Sequence, residues 1–98
     1  MNKALAKRLL RRIDDGLRFR FSNGQSAGTM EELVWGIESL REDEFHHHVY
    51  FDHNDFSNWL IDVIGDEELG LRIFALEKAL CVNEIKKRIV LLERIISS

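Results

Sequence analysis

The chain has 98 residues, 45% of them apolar and 32% charged, with 17 acidic against 14 basic side chains and a lone cysteine, Cys81. That length suits a single domain over residues 1–98 that buries only about 60 to 65% of its unfolded surface. The composition excludes disorder, a disulfide framework and a cysteine-based zinc site. No apolar run approaches the ~20 residues that span a bilayer. Basic residues are spread through MNKALAKRLLRRIDDG rather than set before an apolar block, so no signal peptide is read and the expected location is cytoplasmic.

Charge is uneven along the chain. Residues 1–20 carry +5, residues 21–70 carry −11 and residues 71–98 carry +3. A basic helix lying across an acidic middle segment accounts for this without an outside partner. A nucleic-acid contact through the N-terminal helix is the weaker reading, because no aromatic interleaving or recognition module accompanies the charge.

In chain order, Leu5, Leu9, Leu10 and Ile13 repeat at helical spacing and predict a first helix over residues 3–14, ending before Gly16. LRFRF alternates strictly, with Leu17, Phe19 and Phe21 on one face, and runs into Asn23-Gly24, which suits a two-residue hairpin turn. The return segment QSAG is poor in β-formers. The ribbon is therefore a short hairpin, a single extended segment, or a strand that pairs with a second copy. Thr29 and Glu32 form a capping-box pattern that opens a second helix through Leu33, Val34, Ile37 and Leu40.

Asp43 offers a cap to a short helix over residues 44–51, and Asn54 or Asp55 caps FSNWLIDVI. Gly65 closes that helix, and Asp66 caps the next. From Leu69 an apolar stripe runs through Ile73, Leu76 and Leu80, slips phase, and resumes at Ile85, Ile89, Leu92 and Ile96. Two forms fit: one long helix that turns its apolar face, or a separate last helix capped by Asn83. Leu71, Phe74, Val90, Leu91 and Ile95 lie off the stripe and make it wider than one neighbour covers, which predicts a homodimer sharing part of it. The expected fold is mainly α: a small bundle of five or six helices with a short β ribbon or extended segment near residues 17–28.

FHHHVYFDHNDFSNW, residues 45–59, holds all four histidines. Glu44 stands three residues from His47 and four from His48, half of a carboxylate-bridged di-metal signature without its second half. No His-x-x-x-His zinc pair exists, although His47, His53 and Asp55 could converge through the bend. A metal-binding helical protein using the His46–Asp55 cluster is thus the alternative reading. The favoured one is a packed joint between two helices, with Phe45, His48 and Val49 inward, His48 bonded to the capping residues, and His46 and His47 in solvent. Phe56, Trp59, Leu60 and Val63 supply the facing side of that joint.

Other chemistry is thinner. His53, Asp55 and Ser57 lie close in sequence without triad spacing, Cys81 sits in an apolar run that argues for an inert thiol, and Gly24 and Gly28 lack a phosphate-loop pattern. Asp52, Asn54 and Asp55 lack the glycine and terminal glutamate of a calcium loop. No catalytic, cofactor-binding or metal-binding residue is assigned, and no enzyme activity is expected.

The phrase HV-x4-NDF-x-x-W-x5-GD-x-x-L, here His48, Val49, Asn54, Asp55, Phe56, Trp59, Gly65, Asp66 and Leu69, resembles the signature of a small prokaryotic family of domains of unknown function. FRFSNGQSAGTMEEL, residues 19–33, is similar to that family's strand, turn and capped helix, and the likeness covers roughly residues 17–75. Gly70 departs from the alanine-like residue expected there. The resemblance implies no activity. It implies an accessory module, found both alone and appended to larger enzymes, including sugar-transferring ones. The combined expectation is a non-catalytic helical interaction or oligomerisation module with no membrane association.

Overall fold

A computed structural model describes residues 1–98 and contains six α-helices and two small antiparallel ribbons. Helix α1 (Lys3–Leu9) is capped by Asn2, whose Oδ1 accepts from Leu5 N at 2.8 Å. It ends at Leu10, well short of the expected residue 14, because the following backbone turns to bond elsewhere: Ile13 N donates to Gly28 O at 2.7 Å. A single 3-10 turn (Asp15–Leu17) leads into the first ribbon.

That ribbon forms within the chain. Strand β1 (Phe19–Arg20) pairs with β2 (Ser26–Ala27), and Phe21 N donates to Gln25 O. The loop thus holds three residues rather than the two expected, with Gly24 at φ +90° supplying the left-handed residue that such a loop requires. Helix α2 (Met30–Ser39) is capped by Thr29 as anticipated, Glu32 N donating to Thr29 Oγ1 at 3.0 Å. Glu32 does not close the box onto Thr29. Its Oε1 accepts from Gly28 N one residue earlier, at 2.8 Å.

Helix α3 (Glu42–His48) starts two residues before the expected position, so Asp43 lies inside its first turn and is not its cap. Glu44 instead reaches back to accept from Arg41 N at 2.9 Å. Residues 49–51 are not helical: β3 (Val49–Tyr50) pairs with β4 (His53–Asn54) in a second hairpin that the sequence reading missed. Helix α4 (Asp55–Trp59) continues as a wider π turn over Leu60–Ile64 and closes at Gly65, where φ is +94°.

Asn54, fully buried, decides the joint. Its Oδ1 caps α4 by accepting from Ser57 N at 3.0 Å, while its Nδ2 donates to Phe74 O at 3.1 Å. One side chain thereby caps the start of α4 and the end of α5 (Glu67–Ile73). Asp66 caps α5 through Leu69 N, and its carboxylate also receives Arg88 in a bidentate pair at 2.8 and 2.9 Å. Gly70 has a packing reason. A Cβ there would overlap the Ile61 side chain and stand 3.0 Å from Ser57 O, so glycine lets α5 lie close on α4 and its π turn.

Neither form expected for residues 69–96 is observed. The chain breaks at residues 74–77, where α5 ends with its carbonyls held by Asn54, and α6 (Lys78–Ser97) runs unbroken through Asn83. Leu80, expected on the inner stripe, is exposed as a result of this earlier break. Helix α6 packs against α1, α2 and α5. The buried apolar side chains form one cluster in which Phe45, Phe56, Leu33, Ile37, Leu60 and Ile85 are wholly enclosed. Trp59 fills the joint and donates its indole N–H to Leu17 O at 2.8 Å, tying it to the segment before β1.

Candidate functional site

The second hairpin concentrates the unusual features of the molecule. Its two-residue turn is Phe51-Asp52, and Phe51 holds a left-handed φ of +48° with its ring fully in solvent. That conformation costs on the order of 1 kcal/mol in a residue with a side chain. Tyr50 stacks on His53 with ring centroids 4.8 Å apart, so the tip is aromatic on its outer surface.

Beneath the tip, Asp55 joins two imidazoles. Its Oδ2 lies 2.9 Å from His48 Nδ1 and its Oδ1 lies 2.5 Å from His53 Nε2. His48 is buried between Phe19 and Phe56, and its Nε2 accepts from Ser22 N at 3.0 Å, so its proton resides on Nδ1 and is donated to Asp55. The result is a chain of polar groups from the first ribbon to the surface. His48 does bond across the joint to a residue at the start of α4, as expected; its second bond, to the β1–β2 loop, was not anticipated.

These contacts set what the histidine stretch can do. His48 has both ring nitrogens engaged. Ser57 is buried, and its Oγ bonds neither His53 nor Asp55, so the three residues form no triad. The ligand atoms of His47, His53 and Asp55 do not gather at a common point. The one such group is Glu42, His46 and Glu77, whose ligand atoms lie within 4.8 Å of one another. Glu77, 31 residues from His46, carried no signal in the sequence. Its carboxylate raises the pKa of His46 above the ordinary imidazole value, chiefly through their hydrogen bond. Burial pushes the Cys81 thiol up to about 12, which keeps it protonated and unreactive.

Three of the seven basic residues near the N-terminus, Arg11, Arg12 and Arg18, are engaged inside the chain. Arg11 donates to Val63 O and Ile64 O at 3.1 Å, closing the end of the π turn, and Arg12 pairs with Glu32 at 2.8 Å. Arg18 reaches the same carboxylate at 3.4 Å. The Arg12 hydrogen bond and the Gly28 N–H hold the Glu32 pKa down to about 2.

No family model, curated protein or solved structure matches this chain. Its own surface therefore carries the functional reading. Trp35 on α2 is 58% exposed and shares a shallow apolar depression with Val34, Ile89 and Val90. Glu31 and Glu93 border Trp35 on one side. Beyond Val90 lie Lys87, Leu91 and Arg94. Leu71 and Leu91, both off the expected stripe, are exposed as their phase implies. Trp35 also lies off the stripe of Leu33, Val34 and Ile37, which is the signal by which it could have been singled out.

Proposed function

We propose that this chain is a non-catalytic helical interaction module that acts as a homodimer through the face carrying Trp35, Val90 and Leu91. The carrying observation is an exposed apolar centre, Trp35 and Val90, with Glu31 and Glu93 to one side and Lys87 and Arg94 to the other; the two further cations there, Arg12 and Lys86, are already paired with Glu32 and Glu38. A two-fold axis lying in the interface sets one side of a patch against the opposite side of its copy. Acidic and basic margins then meet around an apolar centre, the arrangement that protein interfaces favour. A standard interface takes about 800 Å² from each partner. That is a modest share of this chain's 5760 Å² surface, within reach of one face of α2 and α6.

The absence of catalysis in this reading is supported by the engagement of each candidate group: His48 is bonded at both nitrogens, Ser57 is buried and Cys81 stays a thiol. The single buried cysteine suits a reducing, cytoplasmic setting. None of the helices is long and apolar enough to cross a membrane.

Sedimentation equilibrium tests the proposal. The expected species is twice the 11.5 kDa chain, and Trp35→Glu and Leu91→Glu should each give monomer with unchanged helical circular dichroism. A wild-type chain that remains monomeric at high micromolar concentration refutes it.

A further inference from the structure

Glu42 and His46 stand four residues apart on one face of α3, and Glu77, the residue before α6, meets them from the break after α5. His46 Nδ1 lies 2.8 Å from Glu42 O and donates to it, which fixes the ring and leaves Nε2 facing Glu77 Oε2 at 2.9 Å. One nitrogen held by a backbone carbonyl and the other presented outward is the orientation that metal-binding imidazoles adopt.

The ion pairing of this group is incomplete. Glu77 has only His46 as an ion partner and Glu42 has none. Lys78 follows Glu77 in sequence and borders the same surface depression as Glu42; its ammonium, still charged, donates to Leu40 O at 2.5 Å and pairs with neither carboxylate. Two carboxylates therefore converge on one imidazole from two separate elements, and Glu42 stands outside any ion pair.

We propose that Glu42, His46 and Glu77 form a surface site for a divalent transition-metal ion of the zinc class, which clips α3 to the start of α6. The ion displaces the Nε2 proton of His46 to solvent, and the ligands are His46 Nε2 and one oxygen from each carboxylate, with the remaining position open to solvent. A nitrogen ligand beside two carboxylates selects zinc-like ions over calcium and magnesium, which take oxygen alone. Bonds of about 2.0 Å in a tetrahedron set ligand atoms about 3.3 Å apart. The Nε2–Oε2 distance of 2.9 Å is already close to that, and the other separations, within 4.8 Å, close by rotation of exposed glutamate side chains. An ion that binds this folded arrangement alone raises the stability of the native state by mass action.

The test uses the full, untagged chain stripped with chelator and titrated with zinc chloride by calorimetry, with thermal unfolding and solution mass followed in parallel. One equivalent should bind each chain, raise the unfolding midpoint and leave the mass unchanged. His46→Ala and Glu77→Gln should each weaken binding by about tenfold or more and remove the shift. His47→Ala, which alters the adjacent exposed imidazole, should change neither. Absence of binding, binding that survives His46→Ala, or equal loss in His47→Ala overturns the site. Half an equivalent with doubled mass overturns the clip within one chain. Measuring mass without zinc keeps this outcome separate from that of the homodimer.

Discussion

Asp55 and Asp66 both stand at the start of a helix and both gather nitrogen partners, but their surroundings differ in kind. Asp66 is sealed, 3% exposed, and its partner Arg88 is 5% exposed and bonded to it at two points. Asp55 is roughly one-third exposed, and its partners are imidazoles, one buried and one at the surface. A guanidinium keeps its charge throughout the accessible pH range, so the Asp66 pair is a permanent strut between α5 and α6. The Asp55 contacts are hydrogen bonds to two imidazole rings, one at each carboxylate oxygen, and they reach the surface through His53. Asp66, the cap of α5, thus serves as a sealed fixture, whereas Asp55, one residue past the cap of α4, holds a partly exposed hydrogen-bonded contact. Burial and the identity of the partner make the difference.

The comparison breaks most visibly at the sealed pair. Removing one member leaves the other charge buried, so Asp66→Ala or Arg88→Ala should cost about 3 to 5 kcal/mol in denaturant unfolding. Set against the 5 to 15 kcal/mol of a typical domain, that loss is large. Combining Arg88→Met with Asp66→Asn should restore much of it, because asparagine keeps the cap on Leu69 N and no lone charge remains. A double variant as unstable as the single ones would show that the strut's geometry, and not its charge balance, matters.

Next in size is Asn54→Ala. Loss of a cap alone costs about 1 kcal/mol, but here the carbonyl of Phe74 loses its donor as well, so roughly 2 kcal/mol is expected. Unfolding that shows only the single-cap loss would mean that water replaces the Asn54 amide at the end of α5.

At the Asp55 contact, His48→Ala should cost about 1 to 2 kcal/mol, since it removes the links to Ser22 N and Asp55 from a buried ring. His47→Ala, at an exposed ring, should be nearly silent. Equal losses in the two variants would contradict the role given to His48.

The smallest effect is a pH dependence. The Glu32 pKa is lowered to about 2, first by its bond with Arg12. A depressed carboxylate pKa contributes stability above the unfolded value of about 4.3, and that contribution is lost as pH falls toward the folded value. Arg12 is mostly exposed, so screening reduces the contribution to about 1 kcal/mol. Glu32→Gln should therefore lower stability at pH 7 and converge with wild type as pH falls through 4 toward 2. A constant difference across that range would assign the effect to packing.

The local grammar of this chain was legible without coordinates. Thr29, Asn54 and Asp66 act as caps because a short polar side chain next to a helix start has few other partners to satisfy. Asn23-Gly24 marks a turn because it tolerates left-handed backbone, and the apolar phase placed Phe45, Phe56 and Trp59 inside while leaving Leu71 and Leu91 out. Tertiary structure decided what local rules cannot reach. The break at residues 74–77 carries no glycine or proline; it exists because Asn54, about twenty residues earlier, holds the end of α5. The second hairpin replaces the end of an expected helix, and its return strand brings His53 to Asp55 beside His48, the last residue of α3. The Arg88 strut, the meeting of His46 with Glu77 and the fit of Gly70 under Ile61 all join residues distant enough in sequence that no periodicity records them. Such contacts draw their energy from exclusion of water and close approach, and both arise only when separate elements pack.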